Sequence, residues 1–143
     1  LDYLTEQDVF WHTTAAMMLG DAYTLNSRAN EAYHARIAAV AVSEATGNAY
    51  MILKSNLKLI ITLRPRGELQ RITDKCQSLL QLANETGTAH IPTTGCLMAV
   101  FGEVLAEKNA LDEALHLAKT GVALTENGSD VVPQGGAYLH LFR

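Results

Sequence analysis

Residues 95–121 read GCLMAVFGEVLAEKNALDEALHLAKTG, two amphipathic segments either side of a break at Lys108-Asn109. In the first, Met98, Phe101, Gly102 and Leu105 fall at helical spacing; in the second, Leu111, Ala114, Leu115 and Ala118 do. A glycine inside a helix costs roughly 0.5–1 kcal/mol relative to alanine. Gly102 therefore predicts that a second backbone comes close there, with Ala114, twelve residues on, as the expected partner.

The same grammar recurs along the chain. Ala16, Leu19, Gly20 and Tyr23 are followed by Ala32, and Asn56, Leu59, Ile60 and Leu63 by Ile72. Gly20, Ile60 and Gly102 follow one another at steps of 40 and 42, and Ala32, Ile72 and Ala114 repeat those intervals. Gly47, Gly87 and Gly128 keep nearly the same period as closing residues, at steps of 40 and 41. Three sets of markers thus divide the chain into helix pairs at about 6–47, 48–87 and 94–128. Pro133-Gln134-Gly135-Gly136 echoes Pro92-Thr93-Thr94-Gly95 at a step of 41, which predicts the start of a fourth copy over 135–143. A chain that opens at Leu1 without methionine and stops inside an apolar pattern reads as one repeat domain excised from a larger protein.

Turn and cap residues place the helices, and no strand is needed. Thr5 with Asp8 three positions on marks the first start, giving a helix from about Glu6 to Leu25. The second runs from about Arg28 to Thr46 before Gly47, and the third from about Ala49 to Leu63, ahead of Pro65. The fourth covers about Glu68 to Thr86, between Gly67 and Gly87. After a loop over Thr88–Pro92, the fifth covers about Thr94 to Glu107. Asn109 is read as the cap of a sixth that reaches about Glu126, and a seventh opens near Gly135.

Composition limits the functions open to this chain. Its 143 residues suffice for one domain burying roughly two thirds of its unfolded surface. Eleven Lys+Arg against fifteen Asp+Glu leave a net charge of −4 with no basic cluster, which argues against direct nucleic-acid binding. No apolar run approaches a membrane span and no signal pattern opens the chain. Cys76 and Cys96 are isolated and suit a reduced cytoplasm.

The A-x-x-L-G-x-x-Y run at Ala16–Tyr23, with Ala32 behind it, resembles the tetratricopeptide (TPR) helix-turn-helix, stretched to about 40 residues. Nearly the whole chain is similar to the repeat region of MalT-type regulators, which are LuxR-family, ATP-dependent transcriptional activators. That likeness is carried by Gly47-Asn48, by Gly67 with Leu69, and by G-E-V-L-x-E-x-N from Gly102 to Asn109. Ile60 departs from it where the repeat usually has glycine, as do Arg36 and Cys76 where a bulky aromatic would sit.

The resemblance implies an all-α fold: a right-handed superhelix of antiparallel helix pairs, a TPR-like α-solenoid of about seven helices. It also implies a sensor lying between a nucleotide-binding region and a DNA-binding one. No G-x-x-x-x-G-K-[ST] is present, so ATP would belong to another part of such a protein. What is left for this region is recognition, without catalysis, of a small-molecule effector, a peptide or protein, or the parent's other domains.

In stacked pairs of this kind the first helix of each pair lines the concave surface. Helical spacing from the glycine-equivalent positions then directs Thr14, Met17, Asp21 and Thr24 into the hollow, with Leu57, Ile61 and Arg64 from the second pair and Ala99, Glu103 and Glu107 from the third. The plainer alternative makes Met17, Leu57 and Ile61 core and the two glutamates a solvated face. A peptide-binding scaffold unrelated to transcription is the competing reading, with Lys54, Asn56 and Lys58 as its candidate carboxylate clamp. The five histidines lack metal-ligand spacing, and no acid or base opposes Glu103 and Glu107 for catalysis.

Overall fold

The computed structural model describes residues 8–126, 135–137, 139 and 140. Thr5 and Gly128 lie outside the described residues. Among those described there is no strand, and the helices are α1 (Val9–Leu25), α2 (Ala29–Thr46), α3 (Ala49–Leu63), α4 (Leu69–Glu85), α5 (Pro92–Glu107) and α6 (Leu111–Glu126). A 3-10 turn, Arg64–Arg66, follows α3. Residues 135–137, 139 and 140 are again helical, at the expected opening of a seventh helix. None of the described helices is long and apolar enough to cross a membrane. The helices fall into two compact units, one ending at Gly67 and the other beginning at Glu68.

In the first unit α1, α2 and α3 pack side by side. Ser43 of α2 meets Ser55 of α3, their hydroxyls 2.7 Å apart and buried, while Arg36 two turns earlier meets Thr62 two turns later. That opposite progression makes α2 and α3 antiparallel. Met17, Ala39 and Met51, one from each helix, form the core, with Ala16 against them. Asn48 starts α3 by accepting a hydrogen bond from the Met51 amide at 3.1 Å. The helix stops at Leu63, ahead of Pro65 as its sequence requires.

In the second unit α4 buries a single stripe, Ile72, Cys76, Leu79 and Ala83. By contrast α5 is buried nearly all round, with Leu97, Val100, Phe101 and Val104 no more than 4% exposed. Burial of each such side chain is worth roughly 1.5–3 kcal/mol. Gly95 faces Gly121 and, two turns on, Gly102 faces Ala114 two turns back, so α5 and α6 are antiparallel and their backbones nearly touch. Closeness of that kind needs small residues, and α6 buries Ala114, Ala118, Gly121, Val122 and Thr125. Leu111 and Leu115, expected to share the face of Ala114, are instead 60% and 50% exposed, because a leucine would hold the helices apart.

Two boundary expectations change. Pro92, expected in the loop, is the first residue of α5, where its missing N–H removes no helical hydrogen bond. Asn109 does not cap α6; it ends α5 in the left-handed region at φ 63°, and the next amide, that of Ala110, donates to Leu105 O at 2.9 Å. Ser27 does the same after α1, with φ 58° and Arg28 N donating to Tyr23 O at 2.8 Å. Ser27, Gly67 (φ 73°) and Asn109 recur at steps of 40 and 42, a repeat position hidden from the sequence by three different residue types. Gly47 and Gly87 are also left-handed, as closing residues should be. At the remaining repeat positions Ala32, Leu59 and Ile72 are buried and Tyr23 half-buried, while Leu19 is 46% exposed on the outer side of α1.

Candidate functional site

Arg36 is the one charge on the buried face of α2, and only 5% of it is exposed. Room for its stem comes from Gly20, where a Cβ would lie 2.9 Å from Arg36 Cγ. The close approach expected between Gly20 and Ala32 is thus chiefly an approach of the Arg36 side chain. Arg36, Cys76 and Ala118 recur at the same steps of 40 and 42, and Ala118 faces Gly102 as Arg36 faces Gly20. The arginine fills a position of the repeat that elsewhere holds a small residue.

Its guanidinium ties three helices together. Nη2 donates to Asp21 Oδ1 at 2.9 Å and to Thr24 Oγ1 at 3.2 Å, both on α1. Nη1 donates to Lys58 O at 2.9 Å and to Thr62 Oγ1, both on α3. The two hydroxyls are held for this task, since Thr24 Oγ1 donates to Gly20 O and Thr62 Oγ1 to Lys58 O. Lys58 Nζ closes the cluster on Asp21 Oδ2 at 2.8 Å. A buried guanidinium is stable only when its donors are satisfied; here Nε alone is buried without an acceptor. Asp21 and Lys58 keep 41% and 35% of their side-chain surface exposed, so one side of the cluster opens to solvent.

Beside this clasp lies a cavity of about 310 Å³. Its wall is formed by Thr24 at the end of α1, Ser27 in the turn after it, the first turn of α2 (Ala29, Ala32), the end of α3 (Ile61, Thr62), and Pro65 and Arg66, with Arg36 among them. The exposed wall is almost wholly apolar. Arg66 stacks 4.5 Å from the Tyr33 ring centre, and Arg28, just before α2, stacks 4.6 Å from that of Tyr23. Glu31 pairs with Arg28 at 3.0 Å, and its carboxyl is held below its ordinary value first by a hydrogen bond to its own backbone amide, then by Arg28.

Of the positions read from the sequence, the structure brings together Asp21, Thr24 and Ile61. Met17 is in the core, and Thr14, Leu57 and Arg64 are half-buried. In the second unit Ala99 is buried against Val122 and Ala137. Glu103 is buried and faces His140, Oε2 to Nδ1 at 2.5 Å, whereas Glu107 is exposed. Lys54, Asn56 and Lys58 do not converge. Lys54 lies on Tyr50, Asn56 is buried with its amide donating to Ile52 O, and Lys58 is held by Asp21. Among the described residues no three His, Cys, Asp or Glu converge as a metal site.

Arg36 was legible as a departure from the repeat but not as the centre of a site. A lone arginine on the face of α2 that Ala32, Ala39 and Val40 share, with a glycine-aspartate pair on the preceding helix, was the available signal.

The family model for the MalT-like TPR region matches residues 1–141. No curated protein and no solved structure gives a significant match.

Proposed function

We propose, from the premise that this chain belongs to the MalT-like TPR region family, that it is the effector-sensing part of a LuxR-family transcriptional regulator and works in the cytoplasm. The observation that supports this is the cavity beside the Arg36 clasp, because its wall is drawn from α1, α2, α3 and the turn that follows. At about 310 Å³ it stands at the small end of the range for ligand pockets. Its apolar wall would take the body of a small molecule, while Ser27, Arg66 and the exposed edge of the Asp21–Lys58 pair would meet polar groups at the rim.

A ligand acts on a regulator only through its different affinity for two arrangements, and a near-complete switch needs roughly 5.5 kcal/mol of difference. One that bridges three helices can express such a difference as a change in their packing. Thr14, Leu57 and Arg64 remain the proposed further lining of a concave surface on the first unit, and Glu107 of one on the second; Ala99 and Glu103 are buried and line neither. ATP would act in another part of the regulator. Helical repeats of this class are generally non-catalytic binding domains.

The apolar wall also favours a second reading, a scaffold that seats one side chain of a partner peptide. A thermal-shift screen of metabolites, oligosaccharides and C-terminal peptides separates the two. Ligand at a hundred times its Kd stabilises by roughly 2.7 kcal/mol. The sensor reading predicts that a small molecule raises the melting temperature of the wild type and not that of Ile61→Glu, whose carboxylate would enter the cavity. Stabilisation by peptides alone would remove the sensor reading.

A further inference from the structure

The charges of the clasp are not what packing asks for at these positions. At steps of 40 and 42 from Arg36, Lys58 and Thr62 stand Cys76, Val100 and Val104, all fully buried in α4 and α5, two helices that also pack together. Replacing a buried ion pair by apolar groups of similar size is often neutral or stabilising. Helix packing alone therefore gives no reason for the charges of the first pair.

Nor do those charges cancel. The one carboxylate of Asp21 faces two cations, Arg36 at 2.9 Å and Lys58 at 2.8 Å. Among the described residues that line the cavity Arg36 and Arg66 are cations and none is an acid, in a chain whose net charge is −4. Arg36 Nε is a buried donor without an acceptor, which costs stability until one meets it. Ala29, the first residue of α2, lies on the same wall, and that helix starts without a side-chain cap, so its partial positive charge adds to the field. Arg66 stands exposed at the rim with the face of its guanidinium on Tyr33. A carboxylate takes the edge of a guanidinium instead, where the N–H donors lie.

We propose that the ligand of this cavity is a small monocarboxylic acid, its hydrocarbon body against Ala29, Ala32, Ile61 and Pro65 and its carboxylate on the edge of Arg66. The proposal rests on the sensing reading of the same cavity and adds the chemical class of the effector. A molecule polar on every side is disfavoured, since the apolar wall would leave its hydroxyls without partners. An amine is disfavoured by the two arginines.

Two matched sets of probes test this by titration calorimetry on the 143-residue chain: phenylacetate, phenylacetamide and phenethylamine, and hexanoate, hexanamide and hexylamine. At least one acid should bind about tenfold more tightly than its amide, the amine being weakest, with amide chemical shifts moving at Thr24, Ser27 and Ile61. Arg66→Gln, at an exposed position, should bring acid and amide within about threefold of each other, whereas Arg66→Lys should keep most of the preference. Acid and amide bound equally at these residues would overturn the proposal and leave the cavity standing as the sensing site. Failure of all six probes to bind overturns it as well, while the sensing reading falls only if the wider thermal-shift screen returns peptides alone. An acid preference unchanged in Arg66→Gln, or shifts confined to other parts of the chain, also overturns it. So does a peptide ending in phenylalanine that binds about tenfold more tightly than phenylacetate, which would assign the carboxylate to a protein C-terminus.

Discussion

Replacing Gly102 by alanine sets two opposing effects against each other at one atom. Alanine in a helix is favoured over glycine by roughly 0.5–1 kcal/mol. A Cβ at Gly102, however, would stand 2.7 Å from Ala114 O, 3.1 Å from Ala118 N and 3.2 Å from Ala118 Cβ. Two of those three atoms are backbone, so relief requires α6 to move away from α5 along a contact that Gly95 and Gly121 also share. Overpacking of this kind costs about 1–3 kcal/mol. Gly102→Ala should therefore destabilise by about 1 kcal/mol net, and Gly102→Leu by about 1–3 kcal/mol or more. Urea melts read the loss as a lower midpoint at constant slope. Gly135→Ala is the control: the residue is helical and a Cβ there meets nothing within 4 Å, so it should be neutral or slightly stabilising. A Gly102→Ala protein as stable as the wild type would refute the reasoning that α5 and α6 meet through that glycine.

Arg36→Ala should destabilise by about 2–4 kcal/mol, since it removes a buried guanidinium and strands the polar groups it satisfied; a loss below about 1 kcal/mol in a urea melt would contradict the clasp. Asp21 and Lys58 are partly exposed, so a double-mutant cycle of Asp21→Asn with Lys58→Ala should give a coupling of about 1 kcal/mol or less that weakens with salt. Ser27→Gly relieves a left-handed serine at φ 58° and should stabilise by about 0.5–1 kcal/mol; a loss would mean the serine side chain supports the turn. Burial pushes the Cys76 thiol from its ordinary 9.0 to about 12. The unfolded chain then loses this proton first, so this group's contribution to stability should fall by up to about 1.4 kcal/mol per pH unit above pH 9, until the folded thiol also ionises near 12. Cys76→Ala should abolish that part of the slope, and an unchanged slope would count against it.

The period of the chain, its helical class and most helix limits were readable because glycine and proline announce themselves. Leu63 before Pro65, and Gly47 and Gly87 in left-handed turns, need those residue types. Ser27 and Asn109 occupy the same kind of turn without them, so the fourth set of repeat markers could be seen only in the backbone. Leu111 and Leu115 misled for a different reason: hydrophobicity predicts burial, yet the close approach of α5 and α6 gives the interface to alanine and glycine. Half of the candidate site's residues were legible as positions on one face. Asp21, Thr24 and Ile61 follow from counting turns, whereas Arg36 and Lys58 belong to it through contacts across three helices that no local spacing encodes. Glu103 and His140, 37 residues apart, meet for the same non-local reason.

Amide chemical-shift mapping with whichever small molecule stabilises the chain is the most direct test of the sensing account. The account predicts shifts gathered at Thr24, Ser27, Ala32, Ile61, Thr62 and Arg66, and none of that pattern in Ile61→Glu. A stabilising ligand whose shifts fall only on α4, α5 and α6 would contradict it.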